Sequence, residues 1–138
     1  MAPTLWAISD LHTGHTGNKP VTESLYPATP DDWLIVAGDV AERTDDIRWS
    51  LDLLRRRFAK VIWVPGNHEL WTTGKDPMQV FGRARYDYLV EMCDQIGVIT
   101  PEHPFPVCSK ADECPEDHIS GSPVKRVDRK NPHDLLYL

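Results

Sequence analysis

The chain has 138 residues, of which 41% are hydrophobic and 26% charged, the composition of a soluble globular protein with a single core. A net charge of −6 at pH 7 argues against non-specific binding to nucleic acid, which depends on clustered lysine and arginine. No apolar run approaches the roughly 18 residues of a membrane span, and three cysteines without a signal peptide give no disulfide framework.

Three short apolar runs are the strand candidates, and each is nearly continuous rather than alternating. They span residues 4–8, 33–37 and 61–64. Such runs are typical of strands buried on both faces of a parallel sheet. A cluster of small and polar residues follows each run. The segment 13–31, between the first two runs, contains three prolines and is predicted to be mostly loop.

Two helices are predicted from apolar residues at helical spacing. The first spans about 44–58, with Thr44 as a cap, and makes a right-handed crossover between the second and third strands. The second spans about 77–96, with Asp76 as N-cap and Gly97 as the C-terminal cap. Together with the strands, these helices predict an α/β fold whose parallel-strand core is built from β-α-β units.

The chain changes character near residue 100. Val98 and Ile99 are predicted to start a fourth strand, after which prolines recur and charges are scattered. No periodicity returns until a short apolar end at 135–138. We therefore predict a folded unit at 1–100 and an irregular, Pro-rich and charged tail at 101–138.

The clusters that follow the three strands carry side chains able to bind metal ions. Asp10 and His12 follow the first strand, Asp39 the second, and Asn67 and His68 the third. Because ligands bind at the carboxyl edge of an open α/β sheet, we expect these side chains to converge there. Mixed carboxylate, imidazole and amide ligands suit Mn, Fe or Zn better than Ca or Cu.

Three short motifs carry a resemblance to a known family. In chain order they are Asp10-Leu11-His12, Gly38-Asp39 and Gly66-Asn67-His68-Glu69. They resemble the first three blocks of the calcineurin-like metallophosphoesterase superfamily, which read D-x-H, G-D and G-N-H-D/E. The resemblance covers roughly residues 4–100. It implies the first half of that family's four-layer sandwich, and hydrolysis of phosphoric ester bonds by activated water at a dinuclear metal site.

The resemblance also implies a role for each motif residue. One divalent ion (Mn, Fe or Zn) would be held by Asp10, His12 and Asp39, and a second by Asp39 and Asn67. His68 would contact the phosphate of the substrate, beside Asn67, and protonate the leaving group. Glu69 would orient His68 or a nearby loop.

The sequence departs from the family pattern after residue 69. The family continues with a separate histidine on a later strand and a final G-H-x-H block, both of which supply metal ligands. Here the remaining histidines are His103, His118 and His133, in Pro-rich or charged surroundings. We therefore predict a truncated product, namely a fragment, an alternative form or a frameshifted reading of a longer gene. The composition shift near Val107 is the observation that motivates this prediction.

Other functions stay open beside the hydrolase. The chain could be a catalytically inactive relic or binding protein that keeps the fold, or an oligomer in which another chain supplies the missing ligands. A nucleotide-binding module is the weakest alternative, because neither G-x-x-x-x-G-K-[ST] nor G-x-G-x-x-G is present. The predicted partner is a phosphate-ester substrate, without nucleic acid or membrane, and the predicted location is cytoplasmic because a signal-peptide pattern is missing.

Several neighbouring residues are weaker candidates for the site. His15 is predicted to be an ordinary loop residue, and Arg43 is a weak candidate for phosphate contact. Trp71 follows the third motif and is a candidate for lining the pocket. Cys108 and Cys114 have poor spacing for zinc and are predicted to be bystanders.

Overall fold

The computed structural model describes residues 2–103, 125–127 and 135–137. Strands and helices alternate over most of this length, which confirms the predicted α/β class with β-α-β units. In chain order the elements are β1 (Leu5–Ile8), α1 (Lys19–Glu23), β2 (Trp33–Ala37), α2 (Thr44–Arg55), β3 (Lys60–Val64), α3 (Asn67–Leu70), α4 (Gly82–Ile96), β4 (Lys125–Val127) and β5 (Leu135–Tyr137).

The strands form one sheet in the order β3-β2-β1-β4-β5. β1 pairs in parallel with both β2 and β4, β2 pairs in parallel with β3, and β5 is antiparallel to β4. The register sets Ile8 opposite Val36 and Ala37 opposite Val64. The first three strands therefore end at the same edge of the sheet, which brings the loops that follow them together.

Residues along β1, β2 and β3 alternate between buried and more accessible positions. On β2, for example, Leu34 and Val36 are buried, whereas Trp33 is 38% exposed. The prediction of strands buried on both faces is therefore wrong for the residues that the structure describes. A short apolar run does not show by itself how many faces of the strand are covered. The buried face packs against apolar side chains of α2 and α4.

The helix α2 begins at Thr44 as predicted and ends at Arg55, one turn before the predicted end. Thr44 is its first helical residue rather than a cap. The carboxylate of Asp76 takes the capping role, accepting hydrogen bonds from the Thr44 backbone N–H at 3.0 Å and from Thr44 Oγ1 at 2.8 Å. The first backbone N–H of α2 thus donates its hydrogen bond to a residue 32 positions away in the sequence.

The helix α4 ends as predicted, with Gly97 in the left-handed conformation at φ 76°. Its predicted start at residue 77 is wrong, because the helix begins at Gly82. Asp76 does not cap α4, since its carboxylate is engaged by Thr44 and by the backbone N–H of Met78. A helix-start signal identifies a residue suited to capping, without showing which helix it caps.

The remaining differences from the predictions concern short elements. The segment 13–31 is mostly loop as predicted, although it contains the short helix α1. The predicted fourth strand at Val98 is reduced to a single parallel bridge between Ile99 and Ile62. β4 and β5 lie within the segment predicted to be irregular, where three-residue strands are too short to give a periodic pattern.

The division of the chain into a folded unit at 1–100 and an irregular tail at 101–138 stays a prediction. Cys108, Cys114, His118 and His133 lie outside the described residues. Of the helices that the structure describes, none has both the length and the apolar character needed to cross a membrane.

A buried carboxylate, that of Asp32, fixes the start of the sheet. It accepts hydrogen bonds from the backbone N–H groups of Thr4, Ala28 and Thr29, from Thr29 Oγ1 and from Trp6 Nε1, at 2.7–3.1 Å. Burial alone would raise the pKa of Asp32, but these hydrogen bonds outweigh it and lower the pKa to about 2. The ionised side chain therefore ties β1 to the segment that leads into β2.

We expect Asp32→Asn to lower the free energy of unfolding at pH 7 by about 2 kcal/mol, because it weakens charge-assisted hydrogen bonds and places an amide among N–H donors. The pKa of Asp32 falls from an ordinary value of 3.8 to about 2 on folding. The difference from the parent should therefore be complete above about pH 4 and disappear as the pH falls toward 2. Urea denaturation across this range measures it. Asp31→Asn, at the exposed neighbouring residue, is the matched control.

Candidate metal centre

Backbone hydrogen bonds join the loops that follow β1 and β2. The N–H of Asp10 donates to the carbonyl of Gly38 at 3.1 Å, and the N–H of His12 donates to the carbonyl of Asp39 at 3.0 Å. The N–H of Thr13 continues the series to the carbonyl of Val40 at 2.9 Å. The first two motifs are therefore held side by side by their main chains.

Three residues of these loops have strained backbones. Asp10, His12 and Asp39 have φ values of 57°, 43° and 54°, and they are the non-glycine residues with positive φ in the described part of the chain. Such conformations cost on the order of 1 kcal/mol or more and persist where the surrounding structure enforces them. All three are predicted metal ligands, so the strain is located at the predicted site.

The loops after β2 and β3 approach each other too closely for side chains at their glycines. A Cβ at Gly38 would lie 2.7 Å from the backbone N of Gly66. A Cβ at Gly66 would lie 2.5 Å from the backbone N of Asp39 and closer still to the Asp39 carboxylate. The two glycines of the second and third motifs therefore allow Asp39 to pack directly against the loop that carries His68.

His12, Asp39 and His68 converge on one point. Each offers a ligand atom, and these atoms all lie within 4.8 Å of one another. The backbone N–H of His68 donates to Asp39 Oδ1 at 3.3 Å, and the rings of His12 and His68 have their centroids 4.6 Å apart. Two imidazoles and a carboxylate, all partly buried, fit a borderline metal such as Mn, Fe or Zn.

The other two predicted ligands lie beside this group. Asp10 Oδ1 is 3.8 Å from His12 Nε2, and the Asp10 side chain is half exposed. Asn67 is the first residue of α3, directly before His68, and is exposed. The structure thus brings Asp10 to the edge of the site, whereas the assignment of Asn67 as a ligand stays a prediction.

The carboxylate of Glu69 is buried beneath the site. Its Oε2 accepts from the backbone N–H groups of Asp39 at 3.0 Å and Gly66 at 3.2 Å. Its Oε1 accepts from the backbone N–H of Val40 at 3.0 Å and from Trp63 Nε1 at 3.3 Å. Glu69 is predicted to orient either His68 or a nearby loop. These contacts are those of a residue that orients the loop.

Glu42 is a site residue that the sequence analysis missed. Its Oε1 lies 3.2 Å from Nδ1 of His68. A carboxylate accepts hydrogen bonds, so this contact is that of a ring whose Nδ1 carries a proton. The available signal was the position of Glu42 three residues after Asp39, in the same loop.

The three weaker candidates lie at different distances from the site. Trp71 packs against His68 with ring centroids 4.2 Å apart and is 50% exposed, so it forms one wall of the site. The ring of His15 lies 5.8 Å from that of His12, at the periphery. Arg43 is exposed and pairs with Asp45 at 3.1 Å.

We expect Gly66→Ala to lower the free energy of unfolding by about 2 kcal/mol, because the added methyl group overlaps Asp39 and forces the two loops apart. Gly74→Ala is the matched control, since a Cβ there meets nothing within 4 Å, and its effect should stay within about 0.5 kcal/mol. Urea denaturation of the three proteins measures both changes. Equal stability of the two variants would contradict the close approach.

Comparison with known proteins agrees with this geometry. The family described as Calcineurin-like phosphoesterase matches residues 3–135. The [Acyl-carrier-protein] phosphodiesterase PptH of Mycobacterium tuberculosis (strain ATCC 25618 / H37Rv) is 89% identical over 105 residues, which are 76% of this chain and 32% of the relative. The crystal structure of Phosphopantetheinyl Hydrolase (PptH) from Mycobacterium tuberculosis has a TM-score of 0.74 and 86% identity, covering 78% of this chain and 38% of that one. The chain thus spans about a third of the length of these relatives, and it belongs to the calcineurin-like phosphoesterase family.

Proposed function

We propose that this chain carries part of the active site of a metal-dependent phosphodiesterase that releases a phosphopantetheinyl group from an acyl carrier protein. The observation that carries the proposal is the convergence of His12, Asp39 and His68 within 4.8 Å at the carboxyl edge of a parallel sheet. The substrate class follows from the names of the relatives, with which the chain shares 89% identity over 105 residues.

The described donors fit at least one ion of Mn, Fe or Zn, and a dinuclear centre is part of this proposal. Asp10, His12 and Asp39 would hold one ion, and Asp39 and Asn67 would hold the second. Bound ions of this kind polarise a phosphoryl group and lower the pKa of water, which supplies the nucleophile. Asp39 is the donor common to both sets.

The contacts of His68 support its proposed role. Its backbone N–H is held by Asp39 Oδ1 and its ring Nδ1 by Glu42 Oε1, so the imidazole has a fixed position and orientation. The other ring nitrogen, Nε2, is then the atom suited to contact the phosphate and, when it carries a proton, to pass that proton to the leaving oxygen. Glu42 supports this role because its contact with Nδ1 fixes the orientation of the ring.

Trp71 is suited to the organic part of such a substrate. Its half-exposed ring stands beside His68, at the point where the ester group would be attacked. Leu70 is also 40% exposed next to it. An apolar wall at this position favours a substrate whose phosphate is joined to an extended organic chain rather than free phosphate.

A binding protein that has lost turnover is the second candidate. The observation in its favour is that the described residues offer few donors for the second ion. Only Asp39 and Asn67 would bind that ion. A dimer that supplies ligands across its interface is the third. Metal binding and hydrolysis, measured separately on the same protein, distinguish these candidates. A cytoplasmic location stays part of the proposal.

We expect Asp39→Asn to lower the affinity of the chain for Mn²⁺ at least about tenfold, because it removes the central charged donor from the site. Titration of free Mn²⁺ by electron paramagnetic resonance measures the affinity without requiring turnover. Asp31→Asn removes the same charge at an exposed position away from the site and should leave it unchanged. Equal affinity in both variants would contradict the metal centre.

We expect His68→Asn to reduce hydrolysis of an alkyl phosphodiester in the presence of Mn²⁺ by about 100-fold or more, because the group suited to protonating the leaving oxygen is lost. Bis(p-nitrophenyl) phosphate, whose leaving group needs little protonation, should be affected less. His103→Asn, at an exposed histidine after α4, is the control. A folded, Mn²⁺-loaded parent chain that hydrolyses neither ester would favour the binding protein.

A further inference from the structure

The side chain of Arg85 on α4 is a fully buried cation that the proposed mechanism does not use. Its exposure is 0%, as is that of its partner Asp76, whose Oδ2 lies 3.1 Å from Arg85 Nη2. Hydrogen bonds from Met78 and Thr44 hold the pKa of Asp76 below its usual range, although burial alone would raise it. The pair is therefore ionised at neutral pH.

The other donors of the guanidinium reach two backbone carbonyls. Arg85 Nε donates to the carbonyl of Glu69 at 2.6 Å, and Nη2 donates to the carbonyl of Glu42 at 2.6 Å. Nη1 is buried and has no hydrogen-bond partner among the residues that the structure describes. A single rigid side chain thus joins the loop after β2 to the short helix α3.

Stability alone does not account for this arrangement. Burying a charged pair removes both groups from water, and a well-packed apolar pair of similar size is often as stable or more so. Nη1, without a partner in the described part of the chain, adds a further cost. A methionine would fill much of the same space without either cost. What the planar fork of Arg85 provides is geometry, because it can donate to several acceptors at fixed angles.

The two carbonyls belong to residues whose side chains build the site. The Glu42 carboxylate meets His68 Nδ1 at 3.2 Å, and the Glu69 carboxylate accepts the N–H groups of Asp39 and Val40. We propose that Arg85 is a positioning residue that fixes the main chain of Glu42 relative to α3, so that the Glu42 carboxylate stays on His68. Its effect on hydrolysis rests on the proposed function, whereas its effect on the Glu42–His68 contact does not.

Two replacements distinguish the effect of the hydrogen-bond geometry of Arg85 from the effect of its charge. Arg85→Lys keeps the charge but replaces the fork with a single ammonium group, which cannot reproduce the same set of contacts. Because an unpaired Asp76 could unfold the chain, the second variant is Arg85→Met combined with Asp76→Asn, which removes the buried charges together. Arg83→Lys is the matched control, since Arg83 lies on the same helix, is exposed and pairs with Asp87.

The first measurement uses the full chain without requiring turnover. Nuclear magnetic resonance at fixed pH follows the Nδ1 proton of His68, identified by its loss in His68→Asn, and Glu42→Gln serves as the positive control. In both Arg85 variants that proton should exchange with water about tenfold faster than in the parent. Urea denaturation confirms that the proteins compared are folded. Unchanged exchange in both folded variants would overturn the proposal.

The second measurement compares two phosphodiesters in the presence of Mn²⁺. Both Arg85 variants should lose about tenfold more activity on an alkyl diester than on bis(p-nitrophenyl) phosphate, because only the poorer leaving group needs a well-placed acid. A purely structural role would lower both rates alike, and that result would overturn the proposal. If the parent hydrolyses neither ester but its His68 proton still depends on Arg85, the proposed function fails and the positioning role stands.

Discussion

The packing of the β2 loop against the β3 loop is the constraint on which the candidate site depends. The two loops approach so closely that no side chain fits at Gly38 or Gly66. Asp39 therefore lies directly against the backbone that leads to His68. The buried carboxylate of Glu69 then joins both loops, because it accepts hydrogen bonds from Asp39, Val40 and Gly66. A buried carboxylate in this position is tolerable because each of its oxygens has partners.

The sequence predicted the location of the site better than its internal contacts. Parallel strands of similar register end at one edge, so motifs placed after each strand converge whatever the details of packing. That logic correctly brought His12, Asp39 and His68 together. It could not show that Glu42 meets His68, because this contact depends on how the chain folds back between β2 and α3.

The errors in the helices and strands have a similar origin. Asp76 followed by proline is a strong local signal for a helix start, yet its carboxylate stabilises the start of α2 and pairs with Arg85. Arg85 itself occupies a buried position on α4, where an apolar residue is the ordinary expectation. Continuous apolar runs gave the strands correctly but not the number of covered faces. Local patterns identify elements, whereas long-range partners decide the role of individual polar side chains.

The left-handed backbone of the two loops has a consequence for how this region evolves. Glycine at the position of His12 would adopt φ 43° without steric cost, so it would relieve strain there while deleting an imidazole. Selection for folding alone would therefore favour losing this histidine. With His12 as a proposed metal ligand, its conformation is what a trade-off between stability and chemistry predicts.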